Sequence, residues 1–437
     1  MKWTSMGRKA LAIAASAAMM TGMAACGNDG GQAAADPNAN ATIRVAWWGS
    51  DSRLKITQEV IDKFEASHPN IKIEAEYSDY NAYFDKLNVQ LAGGEAPDLI
   101  QIGEDFRTYS DQGQFLDLAN VSGQLDLSGL TDSVKKMGQS DGTQYLAPMT
   151  TGMLAVLVNT DLLKQYGAEI PSDTDTWTWK DFEDWNREII TKSGNTLQGP
   201  GFLNNGYGLG IWASQHGEAA QWDDSGVKVS EPVLTEFFQK FKDWTGEGGV
   251  SGSADVWSEG IKASTDQNPF STKKQAVTIA MANQIDTFAK ASGQTIEALP
   301  LPSDNQSIKW MTQQLSIGWT INAKTKYPAQ TAEFLNYMLN DPEATAILGA
   351  ERGIPANDKV RQNIKDKVSE NNKKALEFTS SMEPRLAANP NPLTPAGARD
   401  ANNMVMRYGE DVAFGRLSPA DAAKQFTDEL NAAIQSA

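Results

Sequence analysis

The chain has 437 residues, more than a single hydrophobic core usually supports, and this length predicts two or three domains. Its 38 basic and 55 acidic residues give a formal net charge of −17, which argues against nucleic-acid binding and against electrostatic adhesion to anionic lipid. The one cysteine, Cys26, excludes an intrachain disulfide and a metal site built from several cysteines.

The amino-terminal segment has the pattern of an export signal. Lys2, Arg8 and Lys9 precede an apolar run at 11–20, about half of the roughly 20 residues that a membrane-spanning helix needs. Small residues then lead into Cys26. We therefore expect export from the cytoplasm.

The end of this signal resembles the lipobox of bacterial lipoproteins, although Met23 stands where that pattern usually has leucine. The resemblance implies cleavage after residue 25, lipid on Cys26 and an anchor in the cell membrane. An ordinary signal with an incidental cysteine is the alternative. Residues 26–40 are small and polar and predict a flexible tether.

The folded part begins with a pattern typical of a parallel βαβ unit. A β-type run at 43–48, a helical pattern at 56–64 and an alternating strand at 71–77 follow one another. A second helix at 83–91 and a third strand at 98–102 extend the unit. Ligands of open α/β sheets bind where the strands end, which here is at 47–51, 77–80 and 103–105.

The rest of the chain alternates between helical, extended and irregular patterns. In chain order, we predict an extended apolar run at 146–159, a helix at 177–190, an irregular glycine-rich segment at 194–212, a helix at 232–244, strands at 275–282 and 314–322, helices at 330–339 and 344–348, a connector at 384–395, and helices around 404–412 and 419–434.

Several segments together resemble the extracellular solute-binding proteins of ABC importers, in the sugar-binding group related to maltose-binding protein. The segments that carry the resemblance are 64–73, 83–102, 113–118, 145–167, 176–182, 276–282 and 352–355. They run in order over the whole body, and GGEAPDL at 93–99 is among the most specific. At Asn283 the chain departs from the family's pattern, because relatives often have glycine close to an aromatic residue there.

The resemblance implies a two-lobe, periplasmic-binding-protein-like α/β fold with a ligand cleft between the lobes. Hinge crossings are expected near 149–154, 317–322 and 389–397, with lobe 1 at 41–150 plus 321–388 and lobe 2 at 151–320 plus 389–437. A ligand in the cleft favours the closed form, which would dock on the transmembrane subunits of an ABC permease. We expect a monomer without cofactor or metal.

Eleven tryptophans follow Cys26, and their rings suit the C–H faces of sugars, whose hydroxyls need directed polar partners. Trp47 and Trp48 should point to opposite faces of one strand, so at most one should be purely core. On this lobe the ligand candidates, each weighed against a structural role, are Trp47, Trp48, Asp51, Tyr80, Glu104 and Asp105. Elsewhere they are Trp212 and Trp257, both expected in irregular segments, Asn283, Gln284, Trp319, Arg352, Arg399 and Asp400.

The sequence is less compatible with three other classes of function. An exported enzyme is disfavoured because the chain has two histidines and no serine-hydrolase, zinc-protease or P-loop motif, although a glycosidase needs only two carboxylates. A polyamine receptor of the same fold would use cleft carboxylates boxed by aromatic rings. An adhesin should show repeats or a wall-attachment signal, and neither is found. An oligosaccharide receptor is therefore the main hypothesis.

Overall fold

The computed structural model describes residues 39–49, 51–387 and 393–436. The predicted export signal, Cys26 and most of the predicted tether lie outside the described residues. Within the described ranges, no helix is both long enough and apolar enough to cross a bilayer.

Thirteen strands and sixteen helices make up the described part of the chain. The strands are β1 (Ala41–Trp48), β2 (Ile71–Ser78), β3 (Leu99–Ile102), β4 (Gln139–Ser140), β5 (Thr143–Gln144), β6 (Leu146–Gly152), β7 (Leu154–Asn159), β8 (Trp222–Asp223), β9 (Gly226–Val227), β10 (Val277–Met281), β11 (Ile296–Leu299), β12 (Gln314–Ile321) and β13 (Ile354–Pro355). The helices are α1 (Asp51–Ser67), α2 (Tyr80–Gly93), α3 (Phe106–Ser110), α4 (Asp132–Lys136), α5 (Thr160–Gln165), α6 (Trp179–Lys192), α7 (Gly206–Gln215), α8 (Glu231–Thr245), α9 (Ala254–Lys262), α10 (Ile285–Ser292), α11 (Pro328–Asn340), α12 (Pro342–Leu348), α13 (Asp358–Ile364), α14 (Glu370–Met382), α15 (Ala401–Ala413) and α16 (Pro419–Gln435).

A six-stranded mixed sheet has the strand order β13-β6-β12-β3-β1-β2. Strand β1 is parallel to both β2 and β3, so the predicted parallel βαβ unit is confirmed. Strand β12 runs antiparallel to β3 and β6. Because β1, β2 and β3 share one direction, their carboxyl ends lie at the same edge of the sheet.

Apolar side chains cover both faces of this sheet, because successive residues of a strand point to opposite sides. Val45 and Trp47 pack on one face with Phe64 of α1, in a core that also holds residues of α11 and α12. Ala46 packs on the other face with side chains of α2, and Trp48 lies against that second core. The two adjacent tryptophans therefore occupy opposite faces, as predicted.

A three-stranded antiparallel sheet, β10-β7-β11, carries the second large core. A single residue, Met153, separates β6 from β7, so the extended run at 146–159 carries the chain from one sheet to the next. The predicted helices at 177–190, 232–244, 404–412 and 419–434 correspond to α6, α8, α15 and α16, and all four contribute to this core.

The later passages between the sheets differ from the expected crossings. Strand β12 belongs wholly to the six-stranded sheet, because its apolar run pairs along β3 and β6, so the chain changes sheets between Leu299 and Gln314 rather than near 317–322. Part of the predicted crossing at 389–397 lies outside the described residues. Helix α14 packs on α10 and β11, beside the three-stranded sheet. The lobe boundaries themselves stay a prediction.

The prediction of an irregular segment at 194–212 is wrong at its carboxyl end, because α7 begins at Gly206. Asn205 caps this helix by accepting a hydrogen bond from the backbone N–H of Gly208 at 2.8 Å. Glycine disfavours helices in isolation, but a Cβ at Gly206 would come within 2.4 Å of the Trp222 ring. Close packing therefore overrides the local preference. Trp257 likewise lies in a helix, α9, and not in an irregular segment.

Candidate ligand-binding site

A cavity of about 430 Å³ lies at the edge of the six-stranded sheet where β1 and β3 end. Trp48 is the last residue of β1, Gly103 to Asp105 follow β3, and Tyr80 begins the helix after β2. The opposite wall comes from α7, β8 and α15, which belong to the second core. The lining residues are Trp48, Tyr80, Phe84, Gly103, Glu104, Asp105, Met137, Tyr207, Gln221, Trp222, Gln313, Gln314, Leu315, Ser316, Leu393, Thr394, Ala398, Arg399, Ala401 and Asn402.

An aromatic wall of three rings forms one side of this cavity. The ring centroids of Trp48 and Tyr80 are 5.6 Å apart with their planes at 86°, and those of Trp48 and Phe84 are 5.5 Å apart. Tyr80 and Phe84 share one face of α2 because they are four residues apart. Tyr80 is 54% exposed, so much of its ring remains available for contact.

Two carboxyl groups, on Glu104 and Asp105, also face the cavity. Burial raises the pKa of Glu104 to about 7, and the neighbouring charge of Asp105 adds to this rise. A hydrogen bond from the Gln314 side chain acts in the opposite direction and lowers the same pKa. Glu104 therefore titrates close to neutral pH.

The opposite wall offers neutral polar groups. The Tyr207 hydroxyl donates to the backbone oxygen of Thr312 at 2.5 Å, and its burial raises its pKa. Asn402 accepts a hydrogen bond from the backbone N–H of Gly206 at 2.8 Å. The Gln221 Oε1 and the Trp222 Nε1 atoms are buried without a hydrogen-bond partner in the described residues.

Arg399 is the single basic residue among the described lining residues. Its Nη2 donates to the Thr108 hydroxyl at 2.6 Å, which joins the segment before α15 to helix α3. On the same helix, Arg107 forms a two-pronged ion pair with Asp224, with N···O distances of 2.8 and 2.6 Å. Asp224 follows β8, so these contacts connect the two walls beside the cavity.

Five of the predicted ligand residues line the cavity: Trp48, Tyr80, Glu104, Asp105 and Arg399. Trp47 and Trp319 do not, because both are fully buried in the core on one face of the six-stranded sheet. Trp212 and Trp257 do not either, because they pack in the core of the second sheet, where the Trp212 Nε1 donates to the backbone oxygen of Val233.

Arg352 is also buried away from the cavity. Its Nε donates to the Gln101 side chain at 2.9 Å and its Nη2 to the Thr57 hydroxyl at 2.8 Å, so its hydrogen-bond partners are neutral groups. Its guanidinium lies 5.9 Å from the centre of the Trp319 ring. Burial lowers the pKa of Arg352 to about 9.

The remaining candidates have local contacts outside the cavity lining. Asp51 begins α1 and accepts a hydrogen bond from the Tyr77 hydroxyl at 2.6 Å. Gln284 accepts from the backbone N–H of Met281, three residues earlier. Asp400, just before α15, accepts from Asn403 at 2.6 Å. Asn283 follows β10, and the structure does not place it among the lining residues.

The comparison with known families decides what kind of protein has this cavity. The family model described as "Bacterial extracellular solute-binding protein" matches residues 59–376, which is well over half of the chain. The chain belongs to this family.

Individual relatives of this solute-binding protein agree with that assignment. The diacetylchitobiose binding protein DasA of Streptomyces coelicolor is 25% identical over 98% of both chains. An uncharacterised lipoprotein of Streptomyces antibioticus is 27% identical over 35% of this chain and 32% of its own. A periplasmic oligogalacturonide binding protein from Yersinia enterocolitica shares the fold, with a TM-score of 0.77 and 19% identity over 91% of this chain and 99% of the other. The predicted two-lobe α/β fold is therefore confirmed.

Sequence reasoning missed several lining residues of this solute-binding protein. Those without a prediction as ligand residues include Phe84, Tyr207, Gln221, Trp222, Gln313, Gln314 and Asn402. Phe84 was visible as part of the α2 pattern, and its spacing of four from Tyr80 was the available signal. The glutamines and Asn402 reach the cavity through the arrangement of the second core, which no local pattern shows.

Within the described residues, no group of three or more histidine, cysteine, aspartate or glutamate side chains is placed to hold a metal ion. The carboxyl groups of the cavity come from two adjacent residues, Glu104 and Asp105, and not from facing walls. Non-covalent binding by aromatic rings, amides and carboxyls is the chemistry that this arrangement supports.

Proposed function

We propose that this solute-binding protein captures an oligosaccharide in the cavity and delivers it to the permease of an ABC importer. The observation that carries the proposal is one cavity in which an aromatic wall faces neutral amides and hydroxyls. Aromatic rings pack against the apolar faces of a sugar ring, while amides exchange hydrogen bonds with its hydroxyls. Trp48, Tyr80, Glu104, Asp105 and Arg399 are the proposed ligand contacts.

The relatives support the sugar as the ligand class. One relative is named for diacetylchitobiose and a protein of the same fold is named for oligogalacturonide. Both names describe short chains of sugar rings. Three neighbouring aromatic rings offer more than one contact surface for a ligand with several sugar rings.

Domain motion is part of the proposal. One lobe would be built on the six-stranded sheet, including β12, and the other on the three-stranded sheet together with α14. A ligand that touches both walls stabilises the closed arrangement, which the permease would then recognise. The one-residue connection at Met153 supports a hinge at the first crossing.

Attachment to the cell surface is proposed from the amino-terminal sequence. Cleavage before Cys26 would leave a lipidated first residue, and a partial relative is itself described as a lipoprotein. Radiolabelled palmitate incorporation into the full-length chain, compared with Cys26→Ser, tests this anchor. Equal labelling of both chains would contradict it.

A polyamine receptor of the same fold is the second candidate, and a specific observation favours it. Glu104 and Asp105 lie beside the aromatic wall, and carboxylates next to aromatic rings are suited to ammonium groups. The experiment on the main proposal therefore includes spermidine.

Isothermal titration calorimetry of the full-length chain with a panel of oligosaccharides and spermidine tests the function. Tyr80→Ala should weaken sugar binding by about tenfold, because it removes a ring of the aromatic wall. Val89→Ala is the matched control, since Val89 is on the same helix, is 73% exposed and lies outside the cavity lining.

Saturable binding of an intact sugar that depends on Tyr80 is the expected result. If spermidine alone gives a binding signal in the calorimeter, the chain is a polyamine receptor and not a sugar receptor. Cleavage of an injected sugar, followed by mass spectrometry, would show an enzyme and would contradict the proposal.

A further inference from the structure

The charges that line the cavity are unbalanced. Glu104 and Asp105 provide two carboxyl groups, whereas Arg399 is the one basic residue among the described lining residues. The guanidinium of Arg399 already donates to Thr108, on helix α3. A ligand in this cavity therefore meets an excess of negative charge.

Glu104 lies deeper than its neighbour. Asp105 is exposed, whereas Glu104 is partly buried and receives a hydrogen bond from Gln314. Burial and the charge of Asp105 both disfavour the ionised form of Glu104. Among the described residues that affect its pKa, no lysine or arginine favours the ionised form. A carboxylate held in this way lacks a cationic partner that a ligand can supply.

The ionisable groups around Glu104 come from several elements. Tyr80 on α2 and Tyr109 on α3 carry phenol groups with raised pKa values, and the charge of Asp105 contributes to both shifts. Tyr207 on α7 faces Glu104 from the opposite wall, and the charge of Glu104 contributes to its raised pKa. Asp105 and Arg399 complete the set. None of these groups except Arg399 is a cation.

We propose that the cavity selects an amino sugar, whose ammonium group pairs with the Glu104 carboxylate while its hydroxyls bond to the amide side chains. This inference rests on the proposed sugar-binding function and names the substrate class of the same site. The aromatic wall strengthens the selection, because Trp48 and Tyr80 present π faces that attract cations. The neutral groups of Gln221, Gln314 and Asn402 remain for the hydroxyls.

The same charges disfavour sugars that carry carboxylates. A uronic acid ring would bring a negative charge towards Glu104 and Asp105, and only Arg399 would offset it. N-acetylation of an amino sugar removes its positive charge and adds bulk at the same position. The cavity should therefore prefer the free amine over its acetylated form and over a galacturonate.

Calorimetry on the full-length chain at about pH 7 tests this preference, with a β-1,4-linked glucosamine dimer, its N-acetylated counterpart and digalacturonate as probes. A charge-assisted hydrogen bond should make the glucosamine dimer bind about tenfold more tightly than the acetylated dimer. Glu104→Gln should abolish this preference, so that the two dimers bind with affinities within about twofold of each other. Asp132→Asn is the control, because its carboxyl is exposed on α4, away from the cavity lining.

Proton release gives a second readout that a merely structural role of Glu104 would not produce. Pairing with an ammonium group favours the ionised carboxyl. At about pH 6, where the amines of the free dimer are already protonated and Glu104 is not yet ionised, binding of the glucosamine dimer should therefore release protons from Glu104, and the measured heat should depend on the ionisation enthalpy of the buffer. The acetylated dimer should show less release. Affinity for the glucosamine dimer should fall as the pH is lowered from about 7 to about 5.5, because Glu104 becomes protonated.

The possible failures are distinguishable. Equal or tighter binding of the acetylated dimer or of digalacturonate to the wild-type chain would overturn the amino-sugar inference and leave the sugar receptor intact. If Glu104→Gln still binds the glucosamine dimer more tightly than the acetylated dimer, Glu104 is not the partner of the ammonium group. Binding of spermidine without binding of any sugar would overturn the proposed function itself.

Discussion

Adjacent residues can have unrelated roles when a strand places them on opposite faces. Trp47 is fully buried in the core, whereas Trp48 lines the cavity. The sequence alone predicts this division but not which tryptophan faces the ligand. That choice depends on which face of the sheet α2 covers, and α2 packs on the side of Trp48.

The two tryptophans give a paired prediction. Trp48→Ala should weaken ligand binding by about tenfold and lower the unfolding free energy by less than Trp47→Ala does, because its ring is only half-buried and faces the cavity. Trp47→Ala should lower the unfolding free energy by about 3–5 kcal/mol, because it leaves a cavity in the core. Calorimetry and guanidinium denaturation separate the two effects. Equal loss of stability in both variants would contradict the assignment.

Glu104 gives a prediction about pH and stability. Burial raises the pKa of Glu104 to about 7 in the folded chain, above the ordinary value of 4.5 for a glutamate. The folded state therefore binds the proton more tightly, and the stability from this group falls as the pH rises between these values. At about pH 8, Glu104→Gln should be more stable than the wild-type chain by up to about 3 kcal/mol, and at about pH 4 the two should be similar.

Urea denaturation at the two pH values measures this difference. Asp132→Asn again serves as the control, since it removes an exposed carboxyl. The prediction is wrong if the free energy of unfolding changes by the same amount between about pH 4 and about pH 8 in the wild-type chain and in Glu104→Gln. Glu104 would then ionise normally.

Helix α2 links a capping residue to the cavity. Asp79 accepts a hydrogen bond from the backbone N–H of Ala82 at 3.1 Å, and Gly94 ends the helix in a left-handed conformation with φ +73°. These two residues set where α2 begins and ends. The first helical residue, Tyr80, is thereby held at the cavity mouth.

Loss of this cap should be measurable. Asp79→Ala should lower the unfolding free energy by about 1 kcal/mol and reduce ligand affinity, because the first turn of α2 becomes less well ordered. Asp79→Asn should behave like the wild-type chain, since asparagine is an equally good capping residue. A loss of stability in Asp79→Asn as large as that in Asp79→Ala would show that the charge, and not the cap, is responsible.

The elements that sequence reasoning found are those with strong local periodicity. Strands β1 to β3 and helices α1, α2, α6 and α8 show apolar spacing that their own residues determine. Helix α7 was missed because its glycines signal a loop locally, while the need for space beside Trp222 is a property of the tertiary structure. The side of the cavity formed by the ends of β1 and β3 was predictable from the sequence. The opposite wall was not, because its residues come together only through the tertiary structure.

Contacts between the cavity walls bear on the whole molecule. The Arg107–Asp224 ion pair connects α3 to the β8–β9 hairpin. The Arg399–Thr108 hydrogen bond connects the same helix, α3, to the segment before α15. Both contacts would break if the walls separated. They therefore favour the arrangement that encloses the cavity, even though exposed ion pairs are individually weak.

Asp224→Asn should reduce the preference of the chain for the arrangement that encloses the cavity. We expect ligand affinity to fall by about two- to fivefold, because an exposed ion pair contributes roughly 0.2–1 kcal/mol and a smaller closed fraction lowers the apparent affinity. The radius of gyration of the free chain, measured by small-angle X-ray scattering, should increase. Asp184→Asn, which removes two ion pairs that lie within α6, with Lys180 and Arg187, is the control and should change neither quantity.

The uneven distribution of tryptophan has an optical consequence. Eight of the eleven tryptophans in the described residues belong to the core of the three-stranded sheet, and several of these rings pack within about 6 Å of one another. The ultraviolet emission of the chain should therefore come mainly from this core, and the near-ultraviolet circular dichroism should contain strong coupled-indole bands. Thermal unfolding of this core should therefore dominate the changes in emission and in circular dichroism. Quenching of the emission by a bound ligand should come mainly from Trp48 and Trp222, which line the cavity.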